Sequence, residues 1–155
     1  MDVLSDTYAF HSLFKGCIGL VSANQLLLPA ETLTFACYYG MFYGCTGLTS
    51  APVLPATALE SVCYSEMFYN CKSLTTAPEL PATTLPAACY DQMFYGCSSL
   101  NYIKCLATDF SATNCTSEWL RNVASTGTFV KSPDMNNWPT GYDGIPTGWT
   151  VIDNS

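Results

Sequence analysis

Charged side chains are scarce in this sequence, and positive ones are the scarcest. The 155 residues include 5 lysines and arginines against 12 aspartates and glutamates, which gives a net charge of −7. So few cations cannot neutralise the phosphate backbone of a nucleic acid, whose binding depends on clustered lysine and arginine. We therefore expect no nucleic-acid partner.

Long hydrophobic runs are missing as well. No apolar run approaches the roughly 18–20 residues that cross a bilayer, so we predict no membrane span. The opening residues 1–6 lack the basic and apolar regions of a secretion signal, and we expect no signal segment in this chain. Two readings stay open: a cytoplasmic protein, or one whose targeting segment lies outside this sequence.

Residues for catalysis and metal binding are equally sparse. His11 is the only histidine, and we expect it to be a solvated surface residue. The chain has no G-x-G-x-x-G, G-x-x-x-x-G-K-[ST] or G-x-S-x-G phrase, and no cysteine pair at the C-x₂₋₄-C spacing of zinc sites. We therefore predict no enzyme, no cofactor and no metal site.

What the sequence does have is an internal repeat, within a length typical of one domain. One phrase recurs in register as Met41-Phe42-Tyr43-Gly44-Cys45, Met67-Phe68-Tyr69-Asn70-Cys71 and Met93-Phe94-Tyr95-Gly96-Cys97, each followed three residues later by leucine. These copies define a 26-residue period. A looser copy, Leu13-Phe14-Lys15-Gly16-Cys17, lies one period plus two residues before the first clear copy. The sequence opens partway through this first unit, so we expect the unit to be partial.

The apolar pattern changes within each unit. Residues Tyr64, Met67, Phe68 and Cys71 follow the i, i+3, i+4, i+7 spacing of a helix with one buried face. The Thr-rich, proline-closed segment 74–81 predicts a short strand with Leu74, Ala77 and Leu80 inward. One strand and one short helix form each predicted coil.

A unit this small cannot bury its own apolar face, so the units must stack and share a core. Helix axes need more room than stacked strands, which predicts a curved solenoid with strands on the concave side. The predicted fold class is α/β.

The phrase Met-Phe-x-x-Cys-x-x-Leu, followed by a Pro-closed strand, resembles the BspA-like leucine-rich repeats of bacterial surface proteins. The resemblance covers roughly residues 9–106, and the closing phrases 104–109 and 144–149 resemble the ends of such proteins. It implies a right-handed leucine-rich-repeat solenoid of 26-residue coils over residues 1–106. Residues 107–155 are then a C-terminal α/β cap in the same structural domain.

The cap is also expected on physical grounds, because an uncovered last coil would leave strand edges and core bare. Residues 117–123 predict a helix, 128–131 and 149–152 predict strands, and 132–148 predict a loop.

The nine cysteines leave two readings open. A pairing of residues 18 apart, such as Cys45 with Cys63, would use eight of them. Because that pairing joins opposite ends of neighbouring helices, we prefer reduced thiols packed as small core residues.

Three groups of residues are candidates for binding. Tyr43, Tyr69 and Tyr95 are expected to form an outward column, unless each lies back across the neighbouring coil. The small polar residues Thr49 and Thr75 face outward from the strands. The cap aromatics Trp138, Tyr142 and Trp149 either form a sugar platform or, for the tryptophans, plug the solenoid end.

The resemblance implies a non-enzymatic bacterial protein, on the cell surface or secreted, that mediates adhesion or protein–protein recognition. Its expected partner is a host or bacterial surface protein or a glycan, and we expect a monomer. The alternatives are a carbohydrate-binding module that uses the cap aromatics, a structural spacer and, last, a hydrolase dependent on His11.

Overall fold

A computed structural model describes residues 4–155 of the chain. This part contains no α-helix and three short strands: β1 (Tyr102–Cys105), β2 (Thr128–Lys131) and β3 (Thr150–Asp153). The strands form one parallel sheet in the order β1-β2-β3. The predicted α/β leucine-rich-repeat solenoid of strand–helix coils is therefore wrong, and so is the classification as a solenoid repeat protein. The described residues also contain no helix of the length and apolarity that would span a membrane.

Runs of consecutive turns occupy the places where helices were predicted. Five such runs, each ten residues long, cover 7–16, 35–44, 61–70, 87–96 and 113–122. Positive φ recurs at every fourth residue of a run, as at Ala88 (52°), Gln92 (50°) and Gly96 (74°). An α-helix needs negative φ throughout, so this backbone excludes one.

The backbone hydrogen bonds explain why turns replace the helix. Along each run, alternate amides bond inside the run, as Met41 N does to Tyr38 O at 3.2 Å. The amides between them bond to the next run, as Phe42 N does to Met67 O at 2.8 Å. A helix would use every amide locally. Half of these amides instead join one repeat unit to the next.

The core lies between the turn runs and the segments that follow them. The strand predicted at 74–81 is wrong, because this segment forms only isolated bridges, at Thr76 and Leu80. The predicted inward residues Tyr64, Met67, Phe68 and Cys71 are all buried, as are Leu74, Ala77 and Leu80. The corresponding phenylalanines stack in register, with ring centroids 5.4 Å apart for Phe42 and Phe68 and 5.5 Å apart for Phe68 and Phe94. The sequence pattern thus identified the buried side chains correctly, although the backbone that carries them is not helical.

The C-terminal segment differs in part from its prediction. The strand predicted at 128–131 is confirmed as β2, and the strand predicted at 149–152 lies one residue further on, as β3. The helix predicted at 117–123 is wrong, because these residues lie in and just after the fifth turn run. The turn pattern therefore continues past residue 106.

A loop covers the outer edge of that fifth run. Glu118 N donates to Asp143 Oδ1 at 2.6 Å, and Leu120 N donates to Tyr142 O at 3.4 Å. The indole Nε1 of Trp119 donates to Gly144 O at 2.9 Å. Loop 139–144 thus supplies acceptors for two of the amides that a further run would otherwise bind, those of Glu118 and Leu120.

All nine cysteines are free thiols in the structure, and all but Cys17 are buried. Cys97 Sγ donates to Phe68 O at 2.9 Å, and Cys71 Sγ donates to Phe42 O at 3.2 Å, so one cysteine column reinforces the contacts between units. Burial raises the pKa of Cys97 and of Cys105 to about 12, because a thiolate in the core would lose its hydration.

Candidate functional site

Three tyrosines from successive units stack in a single row along the turn runs. The ring centroids of Tyr43 and Tyr69 are 4.5 Å apart with planes 2° from parallel, and those of Tyr69 and Tyr95 are 4.7 Å apart with planes 1° from parallel. All three residues are half-buried. We call these three residues the tyrosine row. It combines both readings of the sequence, since each ring lies against its neighbour and keeps part of its surface exposed.

The spacing of the row follows from the backbone. Hydrogen-bonded neighbouring chains lie about 4.7–4.9 Å apart, whereas packed helices need about 8–10 Å. Rings at 4.5 and 4.7 Å therefore match runs joined by backbone hydrogen bonds. Helical coils would have separated the same side chains.

A cation stands at each end of the row. Lys15 Nζ lies 4.5 Å from the centroid of the Tyr43 ring, and Arg121 Cζ lies 5.9 Å from that of Tyr95. Arg121 also lies 5.0 Å from the Tyr142 ring, so its guanidinium contacts an aromatic ring on either side. These distances are within the range of cation–π attraction.

Carboxylates lie beside the row and modify its charge. Glu118 Oε1 accepts a hydrogen bond from Arg121 Nη1 at 2.6 Å, which raises the pKa of Arg121. Partial burial, followed by the neighbouring phenols and then by Glu66 and Glu118, raises the pKa of Tyr69. The raised pKa keeps the central ring, Tyr69, neutral at physiological pH, and the row has cations at its ends and acids along its side.

A second aromatic contact lies nearby. The exposed His11 ring stacks on Tyr39 with centroids 5.0 Å apart and planes 5° from parallel. Burial and a hydrogen bond with Glu66 raise the pKa of Tyr39 to about 12. Burial, and after it the charge of Glu66, raises the pKa of Asp91. His11 is a surface residue, as predicted.

The two candidate threonines lie elsewhere. Thr49 and Thr75 are exposed, next to the parallel bridges that pair Ser22 with Ser50 and Thr76 with Tyr102. Thr49 Oγ1 donates to Val21 O at 2.9 Å, so this hydroxyl is already used within the fold. The threonines lie in segments that follow the turn runs and carry isolated parallel bridges, and they are not part of the tyrosine row.

The cap tryptophans are mostly packed. Trp138 stacks on Phe110 at 5.0 Å and on Trp119 at 5.7 Å, with planes within 8° of parallel in both pairs. Trp149 is buried, and its Nε1 donates to Ala124 O at 2.8 Å. The two tryptophans line a cleft of about 310 Å³, whereas Tyr142 is 57% exposed and contacts Arg121.

Sequence reasoning missed the two cations of the site. Lys15 aligns with Tyr43 through the looser first copy of the phrase, and Arg121 aligns with Tyr95 one period later. Both therefore occupy the tyrosine position of the phrase in their own units, and extending the alignment beyond the three clear copies would have placed them. Side-chain spacing alone did not show that the rings would touch.

Comparisons with protein-family models, curated proteins and solved structures find no match for this chain. Over residues 4–155, no three His, Cys, Asp or Glu side chains are grouped so that they would hold a metal ion.

Proposed function

We propose that this chain is a non-enzymatic recognition protein that binds another macromolecule through the tyrosine row, in an adhesion-type role at the cell surface or after secretion. The observation that carries the proposal is the stacking of Tyr43, Tyr69 and Tyr95 in half-exposed, parallel geometry. Tyrosine is enriched in protein interfaces, because one side chain supplies both a large apolar area and a hydroxyl.

Preorganisation supports this use of the row. Each ring is held by its stacked neighbours, so little side-chain freedom remains to be lost on binding. The end cations, Lys15 and Arg121, are held over tyrosine rings in the same way. A fixed row of aromatic edges and hydroxyls with charged ends fits a polypeptide surface that presents apolar and hydrogen-bonding groups together.

A glycan ligand at the cap is the second candidate, favoured by the 310 Å³ cleft beside Trp138 and Trp149. Sugar stacking needs an open ring face, and the Trp138 ring already stacks on two other aromatic rings, those of Phe110 and Trp119. The packing therefore favours the tyrosine row over the cap as the recognition surface.

Binding to immobilised matrix proteins and to a glycan array tests the proposal. The variant Tyr69→Ala removes the central ring, and Phe35→Ala, an aromatic residue 37% exposed outside the row, is the matched control. We expect Tyr69→Ala to weaken binding to a protein ligand by about tenfold or more and Phe35→Ala to leave it unchanged. Thermal unfolding of both variants shows that the fold is retained.

Three outcomes contradict the proposal. Equal loss in both variants would assign the effect to folding. Glycan binding that is lost in Trp138→Ala but kept in Tyr69→Ala would favour the cap. The absence of any ligand in the screen would favour a structural spacer.

A further inference from the structure

The two ends of the array of turn runs are unlike. Loop 139–144 covers the fifth run, whereas the first run, 7–16, presents its outer edge to solvent. The carbonyl oxygens along that edge accept no backbone hydrogen bond from any residue between 4 and 155. They belong to Thr7, Ala9, His11, Leu13 and Lys15.

Each inner junction shows what such an edge binds. Carbonyls at the same five positions of the second run accept amides of the first run, for example Cys37 O from Phe10 N at 2.8 Å and Met41 O from Phe14 N at 2.9 Å. The three following junctions repeat this pattern of five bonds. The bare edge therefore carries only acceptors, at the spacing that a neighbouring run satisfies with donors.

Side chains on this edge are exposed, although the residues at the same repeat positions of the second unit are buried. Leu13 is 54% exposed, whereas Met41 at the same position of the second unit is 1% exposed. Ala9 is exposed, whereas Cys37 at its position is fully buried. One more run over this edge would bury both.

The first unit also carries apolar residues where the other units are polar. Ile18, which is 72% exposed, occupies the position of Thr46, Lys72 and Ser98. Val21, which is 58% exposed, occupies the position of Thr49, Thr75 and Asn101. Packing within the chain does not require these changes, and they extend the apolar surface next to the bare edge.

We propose that the outer edge of run 7–16 is a docking surface for a polypeptide segment that supplies one more turn run of the same kind. The segment donates amide hydrogens from alternate residues to the five free carbonyls and covers Leu13 and Ala9 with apolar side chains. This surface is separate from the tyrosine row and does not depend on the function proposed for it.

A second copy of the chain fits this edge less well. Two copies meeting through the same edge would set acceptors against acceptors and bury carbonyls without donors, which is costly. At the opposite end, loop 139–144 lies over the edge and already engages Glu118 and Leu120. The hydrogen-bond polarity therefore points to a segment with free amide donors.

A synthetic peptide with the sequence of residues 31–58, which contains the second turn run, is the probe. We expect it to bind the full chain with 1:1 stoichiometry in calorimetry, and its own amides to exchange more slowly with deuterium when bound. Leu13→Arg places a charge on the edge and should weaken binding by about tenfold or more. Val53→Arg, at an apolar residue 73% exposed away from the edge, should leave binding unchanged.

The hydrogen-bond pattern is tested within the peptide. N-methylation at the position of Phe42 removes a donor that the edge needs and should abolish binding. The same change at the position of Val53, whose amide makes no backbone hydrogen bond among residues 4–155, should not. Lack of binding at about 1 mM peptide, binding insensitive to Leu13→Arg, or a dimer of the chain that Leu13→Arg dissociates would each overturn the proposal.

Discussion

Two neighbouring alanines have opposite backbone requirements. Ala88 has a φ of 52°, in the left-handed region that disfavours a Cβ atom, whereas Ala87 is not among the residues with positive φ. Ala88→Gly should therefore raise the free energy of unfolding by about 0.5–1 kcal/mol, because the strain exceeds the entropy that glycine loses. Ala87→Gly should lower it by a similar amount. Urea unfolding of the two variants measures both changes.

This pair of variants distinguishes a turn run from a helix. In a helix, glycine would destabilise both positions by about 1 kcal/mol relative to alanine. A loss of stability in Ala88→Gly equal to that in Ala87→Gly would therefore contradict the turn geometry of run 87–96.

Buried thiols make stability depend on alkaline pH. The pKa of Cys97 and of Cys105 is raised from 9.0 to about 12, with burial as the main cause. Between pH 9 and about 12 these thiols ionise in the unfolded chain but not in the folded one. The free energy of unfolding is therefore unaffected below pH 9 and falls as the pH rises from 9 to about 12. Each of these thiols should lower the free energy of unfolding by on the order of 1 kcal/mol at pH 10.

Urea unfolding between pH 8 and 10 tests this dependence, with Cys97→Ala as the control. The variant loses packing at every pH, but its stability should fall less steeply above pH 9 than that of the unaltered chain. Identical slopes in the two proteins would contradict the assignment to Cys97.

Single residues were predictable from the sequence where burial decided their place. The spacing of Met67, Phe68 and Cys71 identified them as core because apolar residues repeating in register must share one interior. The positive φ of Ala88 was not predictable, since alanine at that position fits a helix equally well. Gly44, Asn70 and Gly96, which directly follow the three tyrosines, were the available signal, because glycine and asparagine tolerate positive φ best.

At the scale of elements, ring columns hold the turn runs together. Phe68 is fully buried and stacks on Phe42 and Phe94 at 5.4 and 5.5 Å. Phe68→Ala should cost about 3–5 kcal/mol of unfolding free energy, through the lost apolar contact and the cavity it leaves. Calorimetric or urea unfolding gives the value.

Phe14→Ala is the matched control for the column. Phe14 lies at its exposed end, is half-buried and stacks on Phe42 alone. Its loss should cost clearly less than the loss of Phe68. Equal costs would contradict a column whose first member is partly bare.

The helix prediction failed at this same scale. The i, i+3, i+4, i+7 spacing reports which side chains face the core, and a run of turns produces that facing as well as a helix does. The two backbones differ in which carbonyl accepts the hydrogen bond of each alternate amide. Phe42 N, for example, bonds to Met67 O in the next unit. The acceptor lies almost a full period away along the chain, so the local spacing of apolar residues does not reveal it.

At the scale of the whole molecule, the tyrosine row is a consequence of this hydrogen bonding. The sequence predicted an outward column from the recurrence of Tyr43, Tyr69 and Tyr95. It did not predict ring contact, because the helices assumed for the coils would have kept neighbouring units too far apart. The candidate site therefore depends on the same backbone that removed the predicted helices.

Alternate amides of the turn runs bond across units, and scalar coupling through those hydrogen bonds can be measured in solution. In a labelled sample, NMR should detect coupling between Phe42 N and the Met67 carbonyl carbon, and between Tyr64 N and that of Cys89, each pair joining one unit to the next. Coupling from the same amides to carbonyls four residues earlier would instead show a helix and rule out the turn runs.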